Sequence, residues 1–363
     1  MKKMLALLIF VMFAPSVMAQ SSDWQKTWDE TLTAARKEGK VVVLSPPDTH
    51  VRQTLPAAFK ERYGITLEYI SGRSSETAAK IRAERNAGIY SVDVVMAGIQ
   101  TMSTVYYREK MLDPVKPALI LPEVLDGSKW KKGKLWFVDP EQQYILRLFN
   151  SVNEAFTINT KEVKPEELRS IHDLLDPKWK GKISFMDPTI SGTGSNQAAG
   201  LYVRFGEEFI KKLLIDQKPM ISRDRRQLTD WLARGTHPIS FGAEDGEVER
   251  LRKQGFPLLP MYGLSDMPGS VSGGDQIGLL SNAPHPNAAK VFINWMASKQ
   301  GSETFSRAFN MVSTRNDIDD ASFLPAEVIP KPGVDYFDSY DWEFTVNTKE
   351  KVRQRIKEML QAP

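Results

Sequence analysis

Residues 40–98 read KVVVLSPPDTHVRQTLPAAFKERYGITLEYISGRSSETAAKIRAERNAGIYSVDVVMAG. Val41–Leu44 is a β-branched run that stops at Ser45-Pro46-Pro47, which predicts a short strand. Leu55, Phe59 and Tyr63 then recur every fourth residue, and Gly64 follows where a helix would end. Ile65–Ile70 predicts the next strand, Ser74–Ala87 a helix closed by Gly88, and Val92–Ala97 a strand that is apolar apart from Asp93. Before this stretch, Trp28, Leu32 and Ala35 share one face of a predicted helix over Trp24–Glu38, which Gly39 stops. Strands alternating with helices at this spacing form βαβ units around a mostly parallel sheet. Such sheets bind ligands beyond the carboxyl ends of their strands. The loops Ser45–Thr49, Ser71–Ser75 and Ala97–Thr101 occupy those positions.

A second α/β unit starts near residue 150. Leu146–Thr160 reads as extended, Pro165–Leu175 as a short helix with proline in its first turn, and Ile183–Met186 as a strand. The loop Ser191–Ser195 feeds a long helix carrying Tyr202, Phe205, Phe209 and Leu213. A helix over Leu228–Arg234, a strand over Pro238–Phe241 and a polar helix over Glu244–Gln254 follow. Gly and Ser concentrate over Gly263–Gly278, as in a crossover between units. Pro286–Phe309 predicts an amphipathic helix or helix pair, and a charged helix is expected near Val346–Leu360.

The chain has 363 residues, long enough for two domains, and a net charge of +3, which lacks the basic excess of a nucleic-acid binder. With no Cys, it has no disulfide, zinc–thiolate site, iron–sulfur cluster, thiol nucleophile or lipidated cysteine. Lys2 and Lys3, the apolar run Met4–Ala14 and the small residues of Val17-Met18-Ala19 read as a secretory signal cleaved after Ala19. The apolar run is shorter than the roughly 20 residues a membrane span needs. The expected product is free in a Gram-negative periplasm and, with well-mixed charge, monomeric.

Four stretches carry a resemblance: DLLDPKWKGK (173–182) followed by Asp187-Pro188; residues 223–235 with Pro238–Gly242, ending at Gly255; APHPNAA (283–289) running into Phe292–Trp295; and STRND (313–317). Together they resemble the periplasmic solute-binding proteins of ABC importers, in the branch grouped with ferric-ion binders. The resemblance implies a two-lobed α/β periplasmic-binding-protein fold of type II, with the ligand in a cleft between lobes joined by hinge strands. It implies a membrane permease and an ATPase as partners, a small-molecule ligand and no cofactor. On this reading residues 1–19 are the signal, 20–145 plus 275–315 the first lobe, 146–270 the second, and 316–363 a helical tail packed on a lobe. The sequence departs from the ferric binders at one point. Their adjacent tyrosine pair follows the strand matching Pro238–Phe241, where this chain has Gly242-Ala-Glu-Asp-Gly246. Tyr106-Tyr107, the one adjacent pair, falls in the first lobe, and Glu244 and Asp245 are the substitutes at hand for a hard cation.

The candidate ligand-binding residues lie on the predicted strand ends and crossings. Ser191, Gly192, Thr193, Gly194 and Ser195 open a helix, with Thr189 just upstream. Unpaired N–H groups and the helix dipole there suit a carboxylate, phosphate or sulfate, or the loop is a plain cap. Arg73 with Ser74 and Ser75 is the first-lobe counterpart: an oxyanion clamp, or a solvated Arg beside an ordinary N-cap. Ser45 and Pro46 face the cleft or make a turn, and Ala97 and Gly98 allow close backbone approach. Arg147 opens the first crossing as a cleft charge or a surface residue. Asp275 on the return crossing binds an ammonium or hydroxyl group, or caps a turn. Glu244 completes the set. Trp136, Phe137 and Tyr144 stack on a ring or belong to the core. His50, His172, His237 and His285 lack zinc spacing, and His285 reads as structural.

These readings favour capture of a small anionic, carboxylated or phosphorylated solute for an importer. Ferric-ion uptake and ligand sensing for a membrane histidine kinase are the alternatives. The chain carries no Gly-x-Ser-x-Gly elbow, zinc motif or Walker loop, so an enzyme is not expected.

Overall fold

The computed structural model describes residues 17–361 apart from Pro46 and Arg73, and for residues 17–22, Ser74 and Ser75 the backbone alone. The expected signal as far as Ser16 thus lies outside the described residues, and the first helix runs Val17–Glu38. No helix among the described residues is long and apolar enough to cross a membrane.

The stretch quoted first folds as its periodicity predicts. Strand Lys40–Ser45 pairs in parallel with Thr66–Ser71, in register from Lys40 with Thr66 to Ser45 with Ser71, and with Val94–Ala97 on its other side. Helix Thr49–Tyr63 buries Leu55, Phe59 and Tyr63 and ends at Gly64 in the left-handed conformation, φ 73°. Asp93, the polar break in an apolar strand, accepts hydrogen bonds from Val42 N (2.7 Å) and His285 N (2.7 Å) and contacts His285 Nδ1 (2.9 Å). A buried carboxylate needs such partners. Asp93 thereby docks the start of helix Pro286–Ala297 on the sheet.

The first sheet is extended by strands from further along the chain. Gln276–Leu280 runs antiparallel to Val94–Ala97, with Gln276 opposite Ala97. Leu146–Arg147 pairs with Ile277, and Trp136–Phe137 closes the edge. Leu146 was expected to open the second unit. It joins the first sheet because Leu146, Leu148 and Phe149 are buried in the same core as Val41 and Phe292. The second sheet has the order 220–222, 183–186, 239–241, 156–159, 258–261. Strand Ile183–Met186 has its expected bounds, whereas Pro165–Leu175 breaks into two short 3-10 turns, Pro165–Glu167 and Ile171–Leu175. Asp173 holds the entry to the second turn by accepting from the N–H groups of Arg169 and Ser170.

A third, three-stranded sheet joins the two units. Ser151–Asn153 and Ser270–Ser272, the two crossings, pair antiparallel. The third strand comes from the tail: Phe337–Asp338 adds in parallel to Ser270–Val271. The tail was expected as a helix on one lobe, and it touches both. Trp342 packs edge-on against Tyr107 of the first unit, with ring centres 5.0 Å apart. Phe344, Val352, Ile356 and Met359 then enter the second core, on helix Thr193–Lys211.

Arg147 fastens this strap. Its guanidinium is fully buried, donates from Nη1 to both oxygens of Asp338 at 2.8 Å and from Nε to Phe149 O at 3.1 Å, and lies 4.0 Å above the Trp136 ring. Asp338 Oδ1 also accepts from Tyr340 N (3.0 Å), so one carboxylate sets the turn that follows. Asp338→Ala strips a buried cation of its counter-charge. It should cost about 3 kcal/mol, the low end for breaking a buried pair, because Asp338 keeps 27% exposure. Urea unfolding measures this, with Asp338→Asn costing less because its amide oxygen still accepts. An unchanged midpoint in Asp338→Ala would show that the pair does not stabilise the fold.

Candidate functional site

Where the crossings meet the second unit lies a cavity of about 260 Å³. This falls just under the roughly 300–1,000 Å³ typical of small-molecule sites. Its walls include the first turns of helix Thr193–Lys211, Asn153–Ala155 and Gly269, Ser270 and Ser272 of the crossings, and Phe337, Ser339 and Tyr340 of the tail. Phe241, Leu201 and Met267 supply apolar surface; Arg204, Arg225, Glu154 and Asp245 supply charge of both signs.

The helix start is positioned by glycine. A Cβ on Gly194 would lie 2.1 Å from Met186 O and 2.7 Å from Asp187 O, so only glycine lets the first turn sit on the end of strand Ile183–Met186. Gly192 caps the helix at φ 149°. Thr193, Asn196 and Gln197 consequently face the cavity. Gln197 Oε1 is buried and accepts no hydrogen bond among the described residues. A buried acceptor left open is costly unless a ligand or water supplies the donor.

Opposite, Arg225 is held by Gly242 O (3.1 Å), by Ala243 O and by Asp245 Oδ1 (2.9 Å). Arg204 Nε donates to Asp266 O (3.3 Å). Burial first, and then the like charge of Asp245, push the Glu154 carboxyl up to about 6, and Arg225 partly offsets them.

A second cluster lies at the strand ends of the first unit. Asp275 precedes Gln276 and is 7% exposed. Its carboxylate receives no hydrogen bond from the described residues. Burial, reinforced by Asp48, pushes it up to about 7. Tyr340 connects the clusters: it lines the cavity, it interacts electrostatically with Asp275, and its hydroxyl would lie 3.9 Å from a Cβ on Gly98.

The residues named from sequence fall into distinct places. Thr193 lines the cavity, and Asp275 and Gly98 flank Tyr340. Ala97 is buried in the sheet beside Gln276, and Ser45 is buried with its side chain bonded to Tyr69. Ser195 turns inward, accepting from Gly192 N and donating to Gly192 O. Ser191 and Gly192 are exposed outside the cavity. Thr189 donates to Asp187 and accepts from Arg353 of the tail. Glu244 ends the loop before helix Asp245–Lys253 and its N–H donates to Thr229. Arg147, expected as a cleft charge or a surface residue, is buried against Asp338. Pro46 and Arg73 lie outside the described residues, as do the side chains of Ser74 and Ser75. Trp136 stacks under Arg147 rather than on an open ring site.

Sequence patterns did not point to Glu154, Asn196, Gln197, Arg204, Arg225 or the tail turn. Asn196 and Gln197 did carry a signal: two adjacent amides stand in the first turns of a helix whose neighbouring positions are Gly, Ser and Ala.

Among the described residues, the iron donors named from sequence do not come together. Tyr106 is fully buried in the first unit's core, and Tyr107 donates to Glu141 at 2.8 Å. Asp245 is paired with Arg225, and no group of three or more His, Asp or Glu able to hold a metal occurs among the described residues.

Comparison with known proteins places this architecture. Residues 54–332 match the family described as bacterial extracellular solute-binding protein. An uncharacterised protein of Haemophilus influenzae is 26% identical over 281 residues, 74% of this chain and 76% of the relative. Among solved structures, Trichodesmium IdiA (FutA) in complex with iron and citrate superposes with TM-score 0.64 at 19% identity, covering 89% of this chain and 98% of the other. The periplasmic binding protein AfuA of Actinobacillus pleuropneumoniae, with fructose-6-phosphate bound, superposes with TM-score 0.58 at 22% identity, covering 89% and 99%. These likenesses establish the two-lobed fold of type II.

The two raised carboxyls make stability depend on pH. Folded Asp275 keeps its proton to about pH 7, whereas an unfolded Asp loses it near 4. Between those values the folded chain binds more protons than the unfolded one, so stability falls as pH rises. Glu154 acts in the same direction up to about pH 6. The charged and phenolic groups around Asp275 are Asp48, Tyr69 and Tyr340. Asp275→Asn should therefore flatten the pH dependence of the urea midpoint between pH 5 and 8 and stabilise the protein at pH 8 by about 2–4 kcal/mol. Parallel pH profiles for variant and parent would exclude the assignment.

Proposed function

This chain belongs to the family of bacterial extracellular solute-binding proteins, and we propose that it captures a small solute bearing a carboxylate or phosphate and delivers it to the permease and ATPase of an ABC importer. The cavity supports the reading. The first turns of helix Thr193–Lys211, with Gly194 packed against the strand end, line it with Thr193, Asn196 and Gln197, together with Arg204 and Arg225. Helix starts and guanidinium groups both favour anions. The volume limits the solute to a small molecule. Binding needs no turnover, and domain closure about the crossings at Ser151–Asn153 and Ser270–Ser272 is the expected response to ligand. Export to the periplasm after cleavage at Ala19, and a monomeric state, complete the reading.

A thermal-shift screen of refolded, ligand-stripped protein tests it. The panel holds phosphate monoesters, sugar phosphates, carboxylates, citrate, Fe³⁺–citrate and polyamines. A solute at 1,000 times its Kd adds about 4 kcal/mol, a rise of several degrees in Tm. Arg225→Ala should weaken anion binding at least tenfold, while Arg307→Ala, on an exposed first-lobe helix, should leave it unchanged. Stabilisation by Fe³⁺–citrate but not by citrate, or by no anion at all, would overturn the proposal.

A further inference from the structure

The family match ends at residue 332, yet Phe337, Ser339 and Tyr340 line the cavity. This segment is built in. Phe337–Asp338 is a strand of the crossing sheet, Asp338 is held by buried Arg147, and Ser339 donates from N (3.0 Å) and Oγ (2.8 Å) to Val271 O. Tyr340 therefore stands at a defined position between second-lobe helix and first-lobe strand ends. The register that sets Gln276 opposite Ala97 brings Asp275 to Gly98, whose Cβ position lies 3.9 Å from the Tyr340 hydroxyl; neither that hydroxyl nor the 7% exposed Asp275 is hydrogen-bonded to a described residue.

We propose that the tail turn Phe337–Tyr340 is a third wall of the solute site and that, with Asp275, it selects solutes carrying an ammonium group in addition to the anionic one. The inference rests on the anion reading above. The chemistry is direct. A buried carboxylate with no donor is unfavourable as an anion, and Asp48 adds a second negative charge nearby. A cationic donor satisfies both: it restores the ionised form of Asp275 and forms a charge-assisted hydrogen bond. The phenol of Tyr340, with its open oxygen, accepts from the same group. The second-lobe side fits an amphoteric solute as well, since two arginines and two acids line it in equal number: Arg204, Arg225, Glu154 and Asp245.

Calorimetric titration with paired probes tests this: phosphoethanolamine against ethyl phosphate, and γ-aminobutyrate against butyrate. The aminated member of a pair should bind at least tenfold more tightly. Asp275→Asn should abolish that preference while leaving the deaminated partner within about threefold of its parent affinity. Tyr340→Phe, which keeps the ring and its packing, should reduce the preference severalfold. Asp275→Asn is expected to fold at least as stably as the parent, so loss of preference is not a folding effect. Equal affinity for both members of each pair, or an equal loss for both in Asp275→Asn, overturns the proposal and leaves the anion reading standing. If no probe of either kind binds, the anion reading fails and this proposal fails with it.

Discussion

The contact on which the rest depends is the buried pair of Arg147 and Asp338. A guanidinium with no exposed surface is stable in a protein only when its donors and charge are answered. Here Asp338, the carbonyl of Phe149 and the Trp136 ring answer them. The partners come from distant parts of the chain, so the pair decides where the tail crosses the molecule. Once Asp338 is fixed, the tail strand has its register on Ser270–Val271 and Tyr340 has its position in the cleft.

That placement alters how the two lobes relate. Beyond the crossings, a two-lobed binding fold can close freely about its hinge. In this chain a third segment passes from one lobe to the other, with Trp342 on Tyr107 and the final helix inside the second lobe's core. The tail strand is itself part of the crossing sheet, so a rotation of the lobes about that sheet would carry it along. The strap is thus compatible with a hinge while adding a wall that the matched family region, ending at residue 332, does not include.

Much of the frame was legible in the sequence. Strand and helix alternation over residues 40–98, the Gly64 stop, the strand at Ile183–Met186 and the helix pair over Pro286–Phe309 all follow from local patterns. The site was legible in part. The loop before helix Thr193–Lys211 was identified, but Ser195 uses its hydroxyl on its own cap, and the functional face extends past it to Asn196 and Gln197. Helix phase explains the difference: residues three and four apart share a face, and which face meets the cavity depends on how Gly194 seats the helix on Met186.

The sequence by itself determined the fold class and the ends of most elements, because periodicity, caps and turns act within a few residues of each other. It also marked His285 as structural, from the Pro-His-Pro turn ahead of its helix. Only the tertiary structure decided which charges face the cleft. Arg147 and Asp338 are 191 residues apart, and Asp93 and His285 are 192 apart; no local pattern reports such a pairing. Whether a polar residue is a partner within the fold or is left open to a solute depends on what the chain brings opposite it. Asp275 and Arg147 looked alike as cleft charges, and folding gave Arg147 a counter-ion and left Asp275 without a donor among the described residues.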